Sequence, residues 1–180
     1  MTRRSVFVVV ALAFAVMACK KSGGAELSRY PGTEDGARQL LTDIRTSSDA
    51  RAMALALKPS TADYRAVFVD EVAAKAESNY EKLWSDPKAA ITASPANTEL
   101  KLSKATTDEL QKWTSNAEAE FPGAYKRVAD RFKLGLTVYR WKYVKPGEQL
   151  GMAYDGLVHV NGHWAWFPKP WRFLAGGGDE

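Results

Sequence analysis

Residues 136–167 read LTVYRWKYVKPGEQLGMAYDGLVHVNGHWAWF, and this stretch decides the fold. Apolar and polar side chains alternate over its first ten residues, which is typical of a half-buried strand. Pro146-Gly147 fits the central pair of a type II turn, and Asn161-Gly162 is a preferred pair for a two-residue hairpin. The stretch therefore predicts an antiparallel meander of three strands, at about 136–145, 149–160 and 163–167.

Helical patterns precede this meander. An apolar stripe at helical spacing, typical of a helix packed on a core, is formed by Ala37, Leu40, Leu41 and Ile44. Ser48 or Asp49 can cap a second, short helix, and Pro59 would end it. Ser60 can cap a third helix, which we expect to continue to Asp86-Pro87.

One more strand and one more helix are predicted between the helices and the meander. Residues 98–105 alternate, with Leu100 and Leu102 on one face. Thr106 and Glu109 have the spacing of a capping box that opens a helix. Helices first and strands last predict a single α+β domain over residues 33–174, with N-terminal helices packed on a curved antiparallel sheet.

The order of these elements resembles that of the cone-shaped superfamily of nuclear transport factor 2 and ketosteroid isomerase. The resemblance covers residues 33–174 and rests on element order. It implies that the N-terminal helices close the mouth of a bent sheet that encloses a pocket.

The N-terminus predicts an export signal. Arg3 and Arg4 precede an apolar run from Val6 to Ala18, which is too short to cross a hydrocarbon core of about 30 Å as a helix. A positive start, a short apolar run and a small residue before the cleavage point indicate a signal peptide over residues 1–18.

Val16-Met17-Ala18-Cys19 resembles the lipobox of bacterial lipoproteins. The resemblance implies that Cys19 becomes the first residue and carries acyl chains, which anchor the protein in the membrane. Lys20 follows the cysteine where lipoproteins retained at the inner membrane carry Asp, so we expect the outer membrane, with the domain facing the periplasm. Residues 19–32 would form the lipidated cysteine and a flexible tether, and residues 175–180 a disordered tail.

Composition excludes several classes of protein. The 180 residues are 26% charged and 46% hydrophobic, which is ordinary for a globular chain. One cysteine and two histidines leave no disulfide framework and no structural zinc site. Removal of residues 1–18 would lower the formal charge from +4 to +2, and no basic stripe predicts a nucleic-acid partner. We expect no cofactor.

The two histidines do not form a metal pair in the predicted hairpin. Val160 would pair with His163 and His159 with Trp164, so that the two imidazoles project to opposite faces. His159 could act as a general base with Asp155, which simple alternation places on the same face. The alternative is an ordinary strand histidine stacked beside Trp164.

Aromatic residues are concentrated in the meander, where they support several interpretations. Nine of the twenty lie between Tyr139 and Phe173. They could line a pocket, form a dimer surface or fill the core. The candidate binding residues are Tyr139, Trp141, Tyr143, Trp164, Trp166 and Trp171. Trp171 lies in a stiff Pro168–Arg172 segment, which could present a partner-binding surface or close one end of the core.

These observations favour a non-catalytic binding or envelope-assembly module on a lipid anchor. Its partner would be an apolar or aromatic small ligand or an envelope protein. One alternative is an isomerase-type or lyase-type enzyme, in which the resemblance to ketosteroid isomerase suggests Asp155 with Tyr139 or Tyr143. Another is a structural lipoprotein that dimerises through its sheet, and the sequence leaves the oligomeric state open.

Overall fold

The computed structural model describes residues 27–174. Four helices occupy the first half of this range: α1 (Glu34–Thr46), α2 (Ala50–Ala56), α3 (Thr61–Val67) and α4 (Asp70–Ser85). Thr33, Asp49 and Ser60 cap the first three, because each side chain accepts a hydrogen bond from the main-chain N–H three residues later.

The second half contains the sheet and shorter helical segments. In chain order these are β1 (Glu99–Thr106), α5 (Thr107–Lys112), α6 (Ser115–Glu120), two 3₁₀ turns (Gly123–Arg127 and Ala129–Arg131), β2 (Thr137–Val144), β3 (Gly151–Val160), β4 (His163–Trp166) and α7 (Trp171–Leu174). The capping box predicted for Thr106 and Glu109 is confirmed at the start of α5. Helices and a four-stranded antiparallel sheet confirm the predicted α+β class.

The sheet is a meander in the order β1-β2-β3-β4. Its last three strands are the predicted ones, and Asn161-Gly162 turns between β3 and β4 with positive φ angles of 51° and 80°. Strand β4 is short and pairs only with Leu157–Val160. Within the described part of the chain, residues 151–155 of β3 therefore have a partner strand on the β2 side alone.

Both faces of the sheet are covered. On one face, the Tyr143 hydroxyl donates a 2.6 Å hydrogen bond to the Leu41 carbonyl of α1. On the other, the Phe167 ring packs edge-on against Tyr64 of α3, with 5.3 Å between ring centroids. The core therefore lies on both sides of the β3–β4 hairpin.

A β-bulge interrupts the regular pairing of β3 with β2. Tyr139 pairs with Leu157, whereas its neighbour Arg140 pairs with Asp155. Gly156 is therefore an extra residue in β3. It has a φ of +82°, which favours glycine.

The bulge reverses the alternation of side chains along β3. Asp155 consequently lies on the face opposite to His159, and the prediction that the two share a face is wrong. A strict period of two does not continue through an extra residue. The predicted acid–base pair of Asp155 and His159 is excluded by this geometry.

The predicted third helix is two helices, α3 and α4, because main-chain groups on either side of Phe68 bond to a distant segment, while the Phe68 N–H itself still donates to the Tyr64 carbonyl. The Val69 N–H donates to the Arg131 carbonyl at 2.9 Å, and Phe68 forms an isolated β-bridge with Phe132. The Val67 carbonyl likewise accepts from the Lys133 N–H at 2.9 Å, so the groups that would continue α3 are already bonded to residues 131 and 133.

The packed domain begins earlier than residue 33. Leu27 and Tyr30 are both 1% exposed, and the Trp164 indole N–H donates to the Tyr30 carbonyl at 3.1 Å. The prediction of a flexible tether up to residue 32 is therefore wrong for residues 27–32. The predicted signal peptide, Cys19, the first part of the tether and the predicted tail lie outside the described residues.

Candidate functional site

The predicted aromatic site is almost entirely part of the core. Five of its six side chains are at most 5% exposed: Tyr139, Trp141, Tyr143, Trp164 and Trp166. They pack on one another and on the helices; for example, Tyr139 and Trp164 meet edge-on at 5.4 Å between centroids. This burial favours the packing interpretation of the aromatic cluster over a ligand-lined face.

Trp171, the sixth candidate, is half-buried at the start of α7. Its ring packs edge-on against Tyr125 at 5.3 Å between centroids. Trp171 therefore closes one end of the core, which is one of the two roles considered for it.

The two histidines lie on opposite faces of the hairpin, as predicted. His159 pairs with Trp164, and their rings pack edge-on at 5.0 Å between centroids. His163 instead points to the N-terminus of α3, where its Nε2 lies 3.0 Å from Oδ2 of Asp63. No group of three or more potential metal ligands is present within residues 27–174.

Asp63 is a fully buried carboxylate at the centre of a polar network. Both the main-chain N–H and the hydroxyl of Ser60 donate to its Oδ2 at 2.8 Å, and the Asn161 amide donates to its Oδ1 at 2.7 Å. Burial raises the pKa of Asp63, but these hydrogen bonds outweigh burial and hold the pKa below its usual value. Asp63 thus connects the hairpin turn to α3, and because it is fully buried, a ligand in solvent cannot reach it.

A groove of about 500 Å³ runs along β1, the outer strand of the sheet. Its polar side chains already have partners. Glu109 accepts from Thr106 in the capping box, Glu120 accepts from Ser103, and Asn116 donates to the Lys104 carbonyl at 3.2 Å. The groove therefore offers few free polar groups to a ligand.

A second cavity of about 320 Å³ has a different character, and we call it the Asp155 cavity. It lies between the end of α4, residues 86–90, residues 152–155 of β3 and residues 166–173. The cavity opens beyond the end of β4. Because β4 is short, the first half of β3 has no second partner strand there. Trp166 and Tyr154 line its wall, and the half-exposed Met152 lies at its mouth.

Asp155 contributes a buried carboxyl group to this cavity and is 6% exposed. Oδ1 accepts from the Lys169 N–H at 2.9 Å and from the Tyr125 hydroxyl at 3.1 Å. No side chain or main-chain group of residues 27–174 bonds to Oδ2. Burial raises the pKa of Asp155 above its usual value, because desolvation outweighs these hydrogen bonds.

The tyrosine beside Asp155 is not one of those suggested by the resemblance to ketosteroid isomerase. Tyr139 and Tyr143 pair with Leu157 and Met152, and this places them on the face opposite to Asp155. The pairing of Asp155 with either tyrosine is therefore wrong. The tyrosine that donates to Asp155 is Tyr125, which lies in the 3₁₀ turn Gly123–Arg127. No sequence motif marks this turn.

Three cations surround the mouth of the Asp155 cavity: Lys88, Lys169 and Arg172. All three are exposed, and none forms a salt bridge with any residue of the described range. Asp86 is the one further charged residue of the lining besides Asp155. The site therefore combines a positive mouth, an aromatic wall and a hydrogen-bonding carboxyl group inside.

Sequence reasoning noticed Asp155 and Trp166 but missed their surroundings. Lys88 follows α4, whereas Lys169 and Arg172 follow the sheet, so the three cations are far apart in the chain. Only the Pro168–Arg172 segment carried a local signal, as a cationic stretch around Trp171.

No helix within residues 27–174 is both long enough and apolar enough to cross a membrane. No protein-family description matches this chain, and comparisons with curated proteins and with solved structures likewise found no match.

Proposed function

We propose that this protein is a lipid-anchored lipoprotein of the outer membrane that binds a ligand in the Asp155 cavity on the periplasmic side. The anchor rests on the lipobox at Val16–Cys19 and on the signal peptide before it. We assign ligand binding to the cavity at the edge of the sheet and not to the aromatic face, because the aromatic face is packed in the core.

The observation that carries the binding role is the free Oδ2 of Asp155. Oδ2 has no protein partner within residues 27–174 and is not fully enclosed, so a ligand group that donates a hydrogen bond can take the place of water there. Because the atom lines an open cavity, a ligand can reach it from solvent.

The surroundings of Oδ2 define the chemistry of the ligand. Trp166 and Tyr154 favour an apolar or aromatic body. The cations Lys88, Lys169 and Arg172 favour an anionic group at the mouth. The ligand would therefore carry an acidic group at one end and a hydrogen-bonding group that reaches Asp155.

Three matched probes test this proposal on the full-length lipoprotein, extracted from its envelope in mild detergent. 3-(4-Hydroxyphenyl)propionate, 3-(4-hydroxyphenyl)propanol and 3-(4-hydroxyphenyl)propylamine share a phenol that can donate to Asp155 and differ in charge at the other end. We expect saturation-transfer NMR to detect the acid as the tightest binder. Replacement of both Lys169 and Arg172 by Gln should weaken its binding about 2- to 30-fold, since each exposed charge pair contributes roughly 0.2–1 kcal/mol.

Lys75→Gln is the control, because Lys75 is an exposed cation on α4 and does not line the cavity. It should leave binding of the acid unchanged. Equal binding of all three probes, or tightest binding of the amine, would overturn the proposed ligand chemistry.

The anchor has a separate test. Cys19→Ser should move the protein from the membrane fraction to the soluble periplasmic fraction and abolish labelling by radioactive palmitate. Unchanged membrane attachment of this variant would contradict the lipoprotein assignment.

A further inference from the structure

The edge of β3 beside the Asp155 cavity has main-chain groups that are free to pair. The Trp166 indole N–H donates to the Asp155 carbonyl at 2.9 Å, so this carbonyl points away from β2. Main-chain groups alternate between the two sides of a strand, and the N–H and C=O of Ala153 therefore point outward as well. No turn, loop or side-chain hydrogen bond within the described residues reaches either group of Ala153.

This edge lacks the protection that the other two edges of the sheet have. Strand β1 carries Lys101 and Lys104, and charged side chains discourage strand pairing. Strand β4 is covered, because the Trp166 main-chain N–H donates to the Leu57 carbonyl at 2.9 Å. Residues 151–153, by contrast, are Gly, Met and Ala, all exposed and uncharged.

We infer that the edge formed by residues 151–153 accepts an extended acidic peptide as an added strand, with one of its side chains in the Asp155 cavity. This inference rests on the proposed function, and it identifies the class of ligand. An added strand would pair with the outward groups of Gly151 and Ala153, since strand addition uses alternate residues of an exposed edge.

Charge identifies the peptide as acidic. Lys169 and Arg172 lie beside this edge with no salt-bridge partner among residues 27–174, as does Lys88. A peptide carboxylate at the mouth would pair with these cations, and a neighbouring N–H or hydroxyl of the peptide could donate to Oδ2 of Asp155.

The test uses fluorescein-labelled octapeptides and the full-length lipoprotein in mild detergent, with fluorescence anisotropy as the readout. The first probe alternates valine and glutamate. The second has the same sequence with every backbone amide N-methylated, so it keeps its charge but cannot donate to a strand. The third has lysine in place of glutamate.

We expect the first peptide to bind at least tenfold more tightly than either of the others. Equal affinity of the first and second peptides would overturn strand addition, and tighter binding of the third would overturn the acidic specificity. Because these comparisons use the unaltered protein, they do not depend on how any variant folds.

A second test changes the protein instead of the peptide. Ala153→Pro removes the outward N–H while sparing the ladder with β2, because proline is tolerated at outward-facing positions of edge strands. It should abolish binding of the first peptide, whereas Ala153→Ser, which keeps the N–H, should bind normally. Normal peptide binding by a folded Ala153→Pro protein would overturn the inference.

The two proposals fail in different ways. Binding of 3-(4-hydroxyphenyl)propionate without binding of any peptide would overturn strand addition and leave the cavity as the site of a small ligand. Self-association in sedimentation that Ala153→Pro abolishes, without peptide binding, would assign the edge to a second copy of this chain and overturn the peptide inference.

Discussion

Gly156→Ala should destabilise the protein strongly, because Gly156 meets two separate requirements at the β3 bulge. Its φ of +82° lies in the left-handed region, where an L-residue costs about 1–2 kcal/mol. A Cβ at this position would also lie 2.0 Å from the Phe167 carbonyl oxygen. That oxygen belongs to the main chain, so relief requires movement of the strand exit.

The second requirement can be estimated from overpacking in protein cores, which typically costs 1–3 kcal/mol. The two effects together give about 2–5 kcal/mol for Gly156→Ala. Such a loss is a large part of the 5–15 kcal/mol that stabilises a typical domain.

Gly162→Ala separates the two effects. Gly162 has nearly the same φ, +80°, but a Cβ there would meet nothing within 4 Å. Urea unfolding of the detergent-solubilised full-length protein, followed by tryptophan fluorescence, would give the free energy of unfolding of each variant. We expect Gly156→Ala to lose about 1–3 kcal/mol more than Gly162→Ala. Equal losses would refute the argument that the approach of Phe167 requires glycine.

Four further predictions concern three buried side chains and one exposed glycine. Asp63→Asn should lower the free energy of unfolding at neutral pH. The difference from the wild type should shrink as the pH falls below about 4, because the folded state lowers the pKa of Asp63. Asp155→Asn should instead stabilise the protein increasingly as the pH rises above about 4, since the folded state raises the pKa of Asp155. Urea unfolding from pH 3 to pH 8 would measure the free energy of unfolding of both variants. Trp141→Ala should lose about 3–5 kcal/mol in the same assay, and intact stability would contradict its place in the core. Gly32→Ala should lose about 1–3 kcal/mol of stability, because its Cβ would lie 2.4 Å from the His159 ring. Gly123→Ala is the control, since a Cβ there would meet nothing within 4 Å, and it should lose less than half as much in thermal denaturation.

The elements that sequence reasoning located correctly are those with local determinants. Asn161-Gly162 specifies its turn through two positive φ angles, and Ser60 begins α3 through a hydrogen bond that spans three residues. The alternation of β2 follows from a sheet with a buried face. Each of these signals lies within a few residues of the structure that it determines.

The features that sequence reasoning missed depend on distant parts of the chain. Gly156 could be an ordinary strand residue, and only the approach of Phe167 and the pairing with β2 make it a bulge. The face of Asp155 depends on that bulge. The aromatic pattern is the same for a packed sheet as for a pocket wall, so burial could be decided only by the helices that cover the sheet.

The early start of the packed domain, at Leu27, has a consequence for binding at the membrane. If Cys19 carries the lipid, seven residues separate it from Leu27, and the eight Cα–Cα steps from Cys19 to Leu27 span at most about 28 Å. A linker of this length would confine the domain to a thin layer above the bilayer. A partner attached to the same membrane would then meet the domain at an effective concentration in the millimolar range. Under that confinement, even a weak contact at the open edge of β3 would be occupied most of the time.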